Sequence, residues 1–267
     1  MMTAACHVHS DWSYDGKWPL GDLAEAFSRR GYRTLMMTEH DRGFTEARRQ
    51  EHRSACAAAS SERIFILAGL EYSDASNSVH VLVWGPVPFL GERLPTAELL
   101  KMVDASGGVA VLAHPSRRQA WKLWDPAWAA RLLGIEAWNR KTDGWAPSPH
   151  APALLEGTKC LPFVGMDFHD RNQFFPLAME LELAGEPTED SVLDCLRSQR
   201  ARAIAFGRPL ERFSRRGAAS RCLSAMEVLR RSAAWPVRLL RRNLKQLTNA
   251  QIRESGRSGP ASETRDG

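Results

Sequence analysis

The segment CHVHSDWSYDG, residues 6–16, ends an apolar run on His7 and His9 and then turns through Asp15 and Gly16. On an extended strand, residues two apart project from one face, so both imidazoles can reach a shared cation. Asp15 sits where a carboxylate could fold back over the strand end, with Asp11 as a nearby competitor. An H-x-H pair alone has an ordinary reading as two polar residues closing a strand. Its meaning depends on whether other strand ends repeat the pattern.

They do. TLMMTEHD (34–41), ILAGLEYS (66–73), VHVLVWG (79–85), VAVLAHP (109–115) and FVGMDFHD (163–170) each join an apolar stretch to metal-binding residue types. Six of the eight histidines, His7, His9, His40, His80, His114 and His169, lie in these places with Asp15, Glu71 and Asp167. Each has a bland alternative. Thr38–Asp41 could be a turn feeding a helix, Glu71 a solvated strand-end carboxylate, and His80, inside its run, a satisfied sheet histidine. Asp167 and His169 repeat the i, i+2 spacing, and Pro115 after His114 stops helix continuation. A carboxylate such as Glu71 can bridge two cations, which an imidazole cannot.

Apolar runs at 4–9, 34–38, 64–68, 79–84, 109–113, 134–138, 161–165 and 203–206 alternate with helix-like stretches, among them LGDLAEAFSRRG, PTAELLKMVDASG and TEDSVLDCLRSQR. Thr188 is placed as an N-cap, and Pro95 and Thr96 as a helix start. This βα rhythm predicts an α/β fold with a parallel sheet or barrel, and no internal repeat is visible.

The 267 residues, 43% hydrophobic, suffice for a full core. Five scattered cysteines without a C-x-x-C pair suggest neither a disulfide framework nor a zinc ribbon, which points to a cytoplasmic protein. No run suits a membrane span or secretory signal. Charge is uneven: residues 208–267 carry 14 Lys/Arg against five Asp/Glu, whereas residues 1–207 carry 22 against 26. We therefore expect a domain over 1–207 and a basic, helical or disordered C-terminal tail over 208–267. That tail could contact nucleic acid or, peripherally, anionic membrane. The sequence leaves the oligomeric state open.

In their order, H-x-H-S with a downstream D-G, TEHD, G-L-E, VHVL, AHPSR and GMDFHD resemble the PHP (polymerase and histidinol phosphatase) superfamily over residues 4–207. The resemblance implies a distorted (β/α)7 barrel with two or three metal ions at the strand ends. His7, His9, Glu71 and Asp167 would hold one ion, Glu71, His80 and His114 a second, and Asp15, His40 and His169 a third. Asp15, His40, Glu71 and His169 are the implied catalytic residues. His52 and His150 match nothing and are expected at the surface. Met166 stands where many relatives have a small residue. Only 33 residues lie between His80 and His114, too few for the long helical insertion of some nucleotide-processing relatives.

An all-nitrogen-and-oxygen ligand set suits Mn, Fe or Zn. The expected reaction is phosphoester hydrolysis by a metal-bridging hydroxide, on a small phosphorylated metabolite or nucleotide. The alternatives are a 5′–3′ exonuclease on short RNA or DNA and a non-catalytic metal-binding scaffold. Candidate substrate-binding cations are Arg117 and Arg118 after AHPS, with Lys17, Arg42 and Arg140 near other strand ends. Trp121, Trp124 and Trp128 read as packing residues because Pro126 interrupts them.

Overall fold

The computed structural model describes residues 1–213 and 217–232. Two compact units divide the chain, Met1–Arg221 and Cys222–Gly267. Most of the expected basic tail, including its last amphipathic stretch and the final GRSGPASETRDG, lies outside the described residues. Of that region, a helix over 218–232 is described, in which Glu227 pairs with Arg230 and Arg231. No helix among the described residues is long and apolar enough to cross a membrane.

The first unit is a mixed α/β fold. Its strands are β1 (Met2–Val8), β2 (Thr34–Met37), β3 (Glu39–His40), β4 (Phe65–Leu67), β5 (Gly69–Ser73), β6 (His80–Trp84), β7 (Val109–Leu112), β8 (Gly134–Asn139), β9 (Leu161–Gly165), β10 (Leu177–Leu181), β11 (Ala201–Ala205) and β12 (Arg208–Pro209). They form two six-stranded sheets, ordered β12-β11-β10-β1-β2-β4 and β3-β5-β6-β7-β8-β9. The chain crosses between sheets with one residue between β2 and β3 and one between β4 and β5. Elsewhere the sheets are stitched by the segment after β9, where Met166 and Phe168 donate to the carbonyls of Cys6 and His7, and His9 donates to that of Phe168.

The expected parallel sheet or barrel is met only in part, by two mixed sheets. β1–β2, β2–β4, β3–β5, β7–β8 and β8–β9 are parallel, but β5–β6–β7 and β1–β10–β11 are antiparallel. The reason for the first reversal is local. Only a short turn separates β5 from β6, and Asp74 closes it by accepting the N–H groups of Ser78 (2.7 Å) and Val79 (3.0 Å). A parallel return needs a dozen or more residues. β10, an apolar strand absent from the predicted set, inserts between β1 and β11, and β12 folds back on β11 beyond the predicted boundary at 207.

Helices cover the sheets as their patterns demand. α1 (Leu20–Ser28) buries Leu20, Leu23, Ala24 and Phe27, an i, i+3, i+4, i+7 stripe. Full burial of Leu23 and Phe27 stabilises by about 1.5–3 kcal/mol each. This face joins Val8, Met37, Met166 and Phe168 in one core cluster, directly beneath the strand ends that carry the histidines. α2 (Glu46–Ala59) starts at Thr45, whose side chain accepts from the Arg48 N–H. α3 (Thr96–Ala105) starts after Pro95 as expected, α4 (Ala151–Leu155) is short, and α5 (Glu189–Arg197) opens with a Thr188–Ser191 capping box. His52, expected at the surface, is instead buried on α2, between Trp12 and Phe44. His150 is half-buried and stacks on Trp121 at 4.4 Å, while Trp124 meets Trp128 edge-on.

Candidate metal centre

Strand ends from both sheets meet at one place. His7 and His9 come from β1 and its exit, His40 from β3, Glu71 from β5, His80 from β6, His114 from the residues after β7, and Asp167 and His169 from those after β9. All but His40 are buried, and His40 is nearly so. Three of these residues have left-handed backbone, His7 (φ 59°), His114 (φ 26°) and Asp167 (φ 49°). Such non-glycine conformations cost about 1–3 kcal/mol and persist where the surroundings over-determine them. At His7 the cost accompanies a register shift between Cys6 and Val8. The H-x-H pair thus converges through a bulge rather than by simple alternation.

Glu71 is the hub. Its Oε1 lies 2.6 Å from His80 Nδ1 and 2.9 Å from His114 Nε2. Its Oε2 lies 3.1 Å from His40 Nδ1, 3.3 Å from His9 Nε2 and 3.4 Å from His7 Nε2. One carboxylate therefore faces two groups of imidazoles with separate oxygens. Asp167 Oδ1 stands 3.8 Å from His7 Nε2, 3.7 Å from His9 Nε2 and 3.3 Å from His169 Nδ1. Asp15 faces His40 and His169, 3.2 Å from a nitrogen of each.

Donor atoms lie within 4.8 Å of one another in four sets: His7–His9–Glu71, Glu71–His80–His114, His7–His114–Asp167 and His9–His40–His169. The first two fall within the sets implied from sequence. In the last, His9 joins His40 and His169, with Asp15 facing that pair.

The donor set fits divalent cations on a direct observation. His7 Nε2 and His9 Nε2 are buried and make no hydrogen bond, yet both point at the Glu71 and Asp167 oxygens. A buried nitrogen left without a partner is costly, and a cation among those four groups would satisfy it.

Charge is correspondingly perturbed. Burial opposes charge on His7, but Glu136, Asp167 and Glu71 outweigh it and hold its pKa well above the ordinary value. At His40, burial is overcome by bonds to Asp15 and Glu71, which push the pKa up to about 10. Burial together with the neighbouring His40 and His169 holds His9 well below its usual value, so it is neutral. At Glu71, burial is outweighed by His80 and His7, and at Asp167 by His7 and Lys141; both carboxyls stay well below their ordinary range. Asp15 is likewise held low by His169 and His40 against its own burial.

Several contributing residues have no role assigned from the sequence, although Glu39 lies within the TEHD motif. Glu136, buried in β8, receives His7 Nδ1 on Oε1 (2.8 Å) and the His114 N–H (2.6 Å) and Asn139 amide (2.9 Å) on Oε2. Glu39, buried beside His40, accepts from Ser10 and Ser13. Lys141 Nζ reaches Asp167 Oδ1 at 3.1 Å and His169 at 3.3 Å.

The predicted substrate-binding cations divide. Arg117 reaches His80 Nε2 (3.0 Å) and the Asn77 carbonyl (2.8 Å). Arg42 lies over the Tyr14 ring, itself stacked on His40. Arg118 turns to the Ser76 carbonyl, Lys17 is tied to Asp170 at 2.7 Å, and Arg140 lies over Phe175. An open cleft of about 640 Å³, lined by Tyr14, His40, Arg42, Asn77, His80 and Arg93 among others, leads to the cluster.

The chain matches no protein-family model, and no curated protein matches it significantly. Solved structures do. A two-domain protein from Bacteroides vulgatus, containing a predicted PHP-like metal-dependent phosphoesterase, is similar at 17% identity and TM-score 0.59, over 76% of this chain and 64% of that one. The chain thus spans less than two thirds of that protein. PsfC from Pseudomonas syringae is similar at 16% identity and TM-score 0.53, over 87% and 98% of the two chains. A protein of Bifidobacterium adolescentis, named a candidate metal-dependent phosphoesterase, is similar at 18% identity and TM-score 0.50, over 73% and 94%. At these identities the likeness is one of fold, and the fold is PHP-like.

Proposed function

We propose that this chain is a metal-dependent phosphoesterase that hydrolyses a phosphate ester of a small metabolite or nucleotide. The observation that carries the reading is Glu71, whose two oxygens face separate histidine groups while His7 Nε2 and His9 Nε2 lie unpartnered beside them. We assign His7, His9, Glu71 and Asp167 to one cation, Glu71, His80 and His114 to a second, and His40, His169 and Asp15 to a third. Bound there, Mn, Fe or Zn would supply Lewis-acid charge and lower the pKa of a water at the site.

The protein's own groups do the rest. Glu136 accepts from His7 Nδ1, which turns Nε2 toward the cluster. Burial excludes bulk water from the carboxylates and strengthens each interaction there. Lys141 and Arg117 contact different members of the cluster, Asp167 and His80 respectively, where each can neutralise phosphoryl oxygens. Two of the similar solved structures are described as metal-dependent phosphoesterases, one of them PHP-like, and they support the same reading.

The test is Mn²⁺-supported phosphate or nucleotide release over sugar phosphates, histidinol phosphate, nucleoside mono- and bisphosphates, and 5′-phosphorylated RNA and DNA. Phosphate release from small esters is the expected result. Stepwise shortening of oligonucleotides would replace it with an exonuclease, and silence with bound metal would leave a scaffold.

A further inference from the structure

His52, which no motif claimed, marks the far end of a buried polar chain that leads to the metal centre. His52 Nε2 lies 3.6 Å from Glu39 Oε1. Glu39 is fully buried, and Ser10 bonds to its Oε1 through Oγ at 2.6 Å and N–H at 3.0 Å. Its Oε2 lies 2.5 Å from Ser13 Oγ. Ser13 Oγ has two further neighbours, the His40 N–H at 3.0 Å and His9 Nδ1 at 3.2 Å.

A hydroxyl has one proton to give and two lone pairs to receive with. The His40 N–H can only donate, so it takes one lone pair. A carboxylate can only accept, so the single Ser13 proton goes to Glu39. The bond to His9 must then run from Nδ1–H to Ser13 Oγ. A neutral imidazole protonated on Nδ1 keeps its free lone pair on Nε2, the atom that lies 3.3 Å from Glu71 and 3.7 Å from Asp167 without a hydrogen bond.

We propose that Glu39, acting through Ser13, is a positioning residue that fixes His9 as its Nδ1–H tautomer and turns the Nε2 lone pair onto the metal centre. His52, held between Trp12 and Phe44, backs Glu39 from α2. One hydroxyl thereby fixes the tautomer of His9 and, through the His40 N–H, the backbone of a second candidate ligand. The consequence for metal binding rests on the function proposed above, whereas the tautomer itself can be read without metal.

The experiment uses the full chain labelled with ¹⁵N-histidine, with the His9 resonances assigned by difference against His9→Asn. Metal-free protein is expected to show Nδ1 protonated and Nε2 bare. Ser13→Ala and Glu39→Gln should each convert His9 to a tautomer mixture and weaken Mn²⁺ binding about 10–100-fold, the range for loss of a ligand's supporting contact. Ser13→Thr, which keeps the hydroxyl, should restore both readouts, and circular dichroism confirms folding of each variant. A wild-type His9 protonated on Nε2 would overturn the proposal, as would variants that keep the wild-type tautomer and Mn²⁺ affinity. A wild-type chain with the expected tautomer but no Mn²⁺ binding would support the relay and sink the phosphoesterase reading instead.

Discussion

Glu136 stands behind His7, its Oε1 2.8 Å from Nδ1, so that the carboxylate and the metal-facing Nε2 lie on opposite edges of one imidazole. The other Glu136 oxygen takes the His114 backbone N–H at 2.6 Å. A single buried side chain in β8 therefore orients candidate ligands from β1 and from the end of β7.

Glu136→Gln keeps the size and an acceptor but loses the charge. It is expected to lower metal affinity about 10–100-fold, as loss of a supporting carboxylate commonly does. Glu136→Ala should cost folding stability as well, since three buried donors, His7 Nδ1, the His114 N–H and the Asn139 amide, lose their acceptor, at roughly 1–3 kcal/mol each. Metal titration followed by thermal melting of the metal-free variants separates the two effects. Wild-type affinity in Glu136→Gln would remove Glu136 from the centre.

Metal uptake should be steeply pH-dependent. The folded pKa of His40 is pushed up to about 10 and that of His7 is held well above normal, so in metal-free protein both carry protons near neutrality. A cation needs their neutral forms and must displace those protons. Affinity should therefore rise with pH from 6.5 to 9, by up to about tenfold per unit for each displaced proton. Calorimetry in two buffers of different ionisation enthalpy counts the protons directly. Binding at pH 7.5 with no proton release would contradict the assignment of His7 and His40.

Gly165 precedes Met166 at the end of β9, where a Cβ would come within 1.8 Å of Glu136 Oε1 and 2.9 Å of His7 Cβ. Neither neighbour can yield without moving a candidate ligand. Gly165→Ala should destabilise the fold by about 1–3 kcal/mol, the usual cost of overpacking. That corresponds to a melting temperature lower by roughly 2–12 °C in a domain of this size. A variant with unchanged melting and metal content would show that Glu136 relaxes freely.

The residues that meet at the centre are legible because most belong to a short local pattern, an apolar run and then His, Asp or Glu; His80, inside its run, and Asp15, in a turn, are the exceptions. The supporting residues are not, for physical reasons. Glu136 and Asn139 sit inside a strand, GIEAWN, where a lone carboxylate reads as a solvent-facing alternate. Their partners, His7 and His114, are distant in sequence. His52 lies on a helix of polar composition whose buried stripe, Arg49–His52–Cys56, is narrow and mostly polar. β10, LAMEL, does not stand out as an apolar run because Glu180 interrupts it, and one of its two partners, β1, pairs with it from the other end of the domain. Strand direction failed at β5–β6, where hydrophobic period carries no sign and the length of the turn decides.

Under the proposed function, substitution of Lys141 is the way to separate substrate recognition from metal binding. Its Nζ is 3.1 Å from Asp167 Oδ1, but the side chain is 42% exposed, so it can swing toward a phosphoryl group once a cation takes over Asp167. Lys141→Met removes a charge that competes with the metal, so metal affinity should hold or rise a few-fold, as Coulomb's law at moderate dielectric suggests. Phosphoester turnover should move the other way, with kcat/KM falling about 10–100-fold through loss of a charged bond of about 1.5–3 kcal/mol. Lys17 provides the contrast. It is 65% exposed and paired with Asp170, and an exposed pair of this kind contributes little, so Lys17→Ala should leave kcat/KM within about twofold. Steady-state kinetics at saturating Mn²⁺, with metal content measured on the same samples, decides the matter. Equal losses in the two variants would mean that surface charge in general, and not Lys141 at the cluster, draws the substrate in.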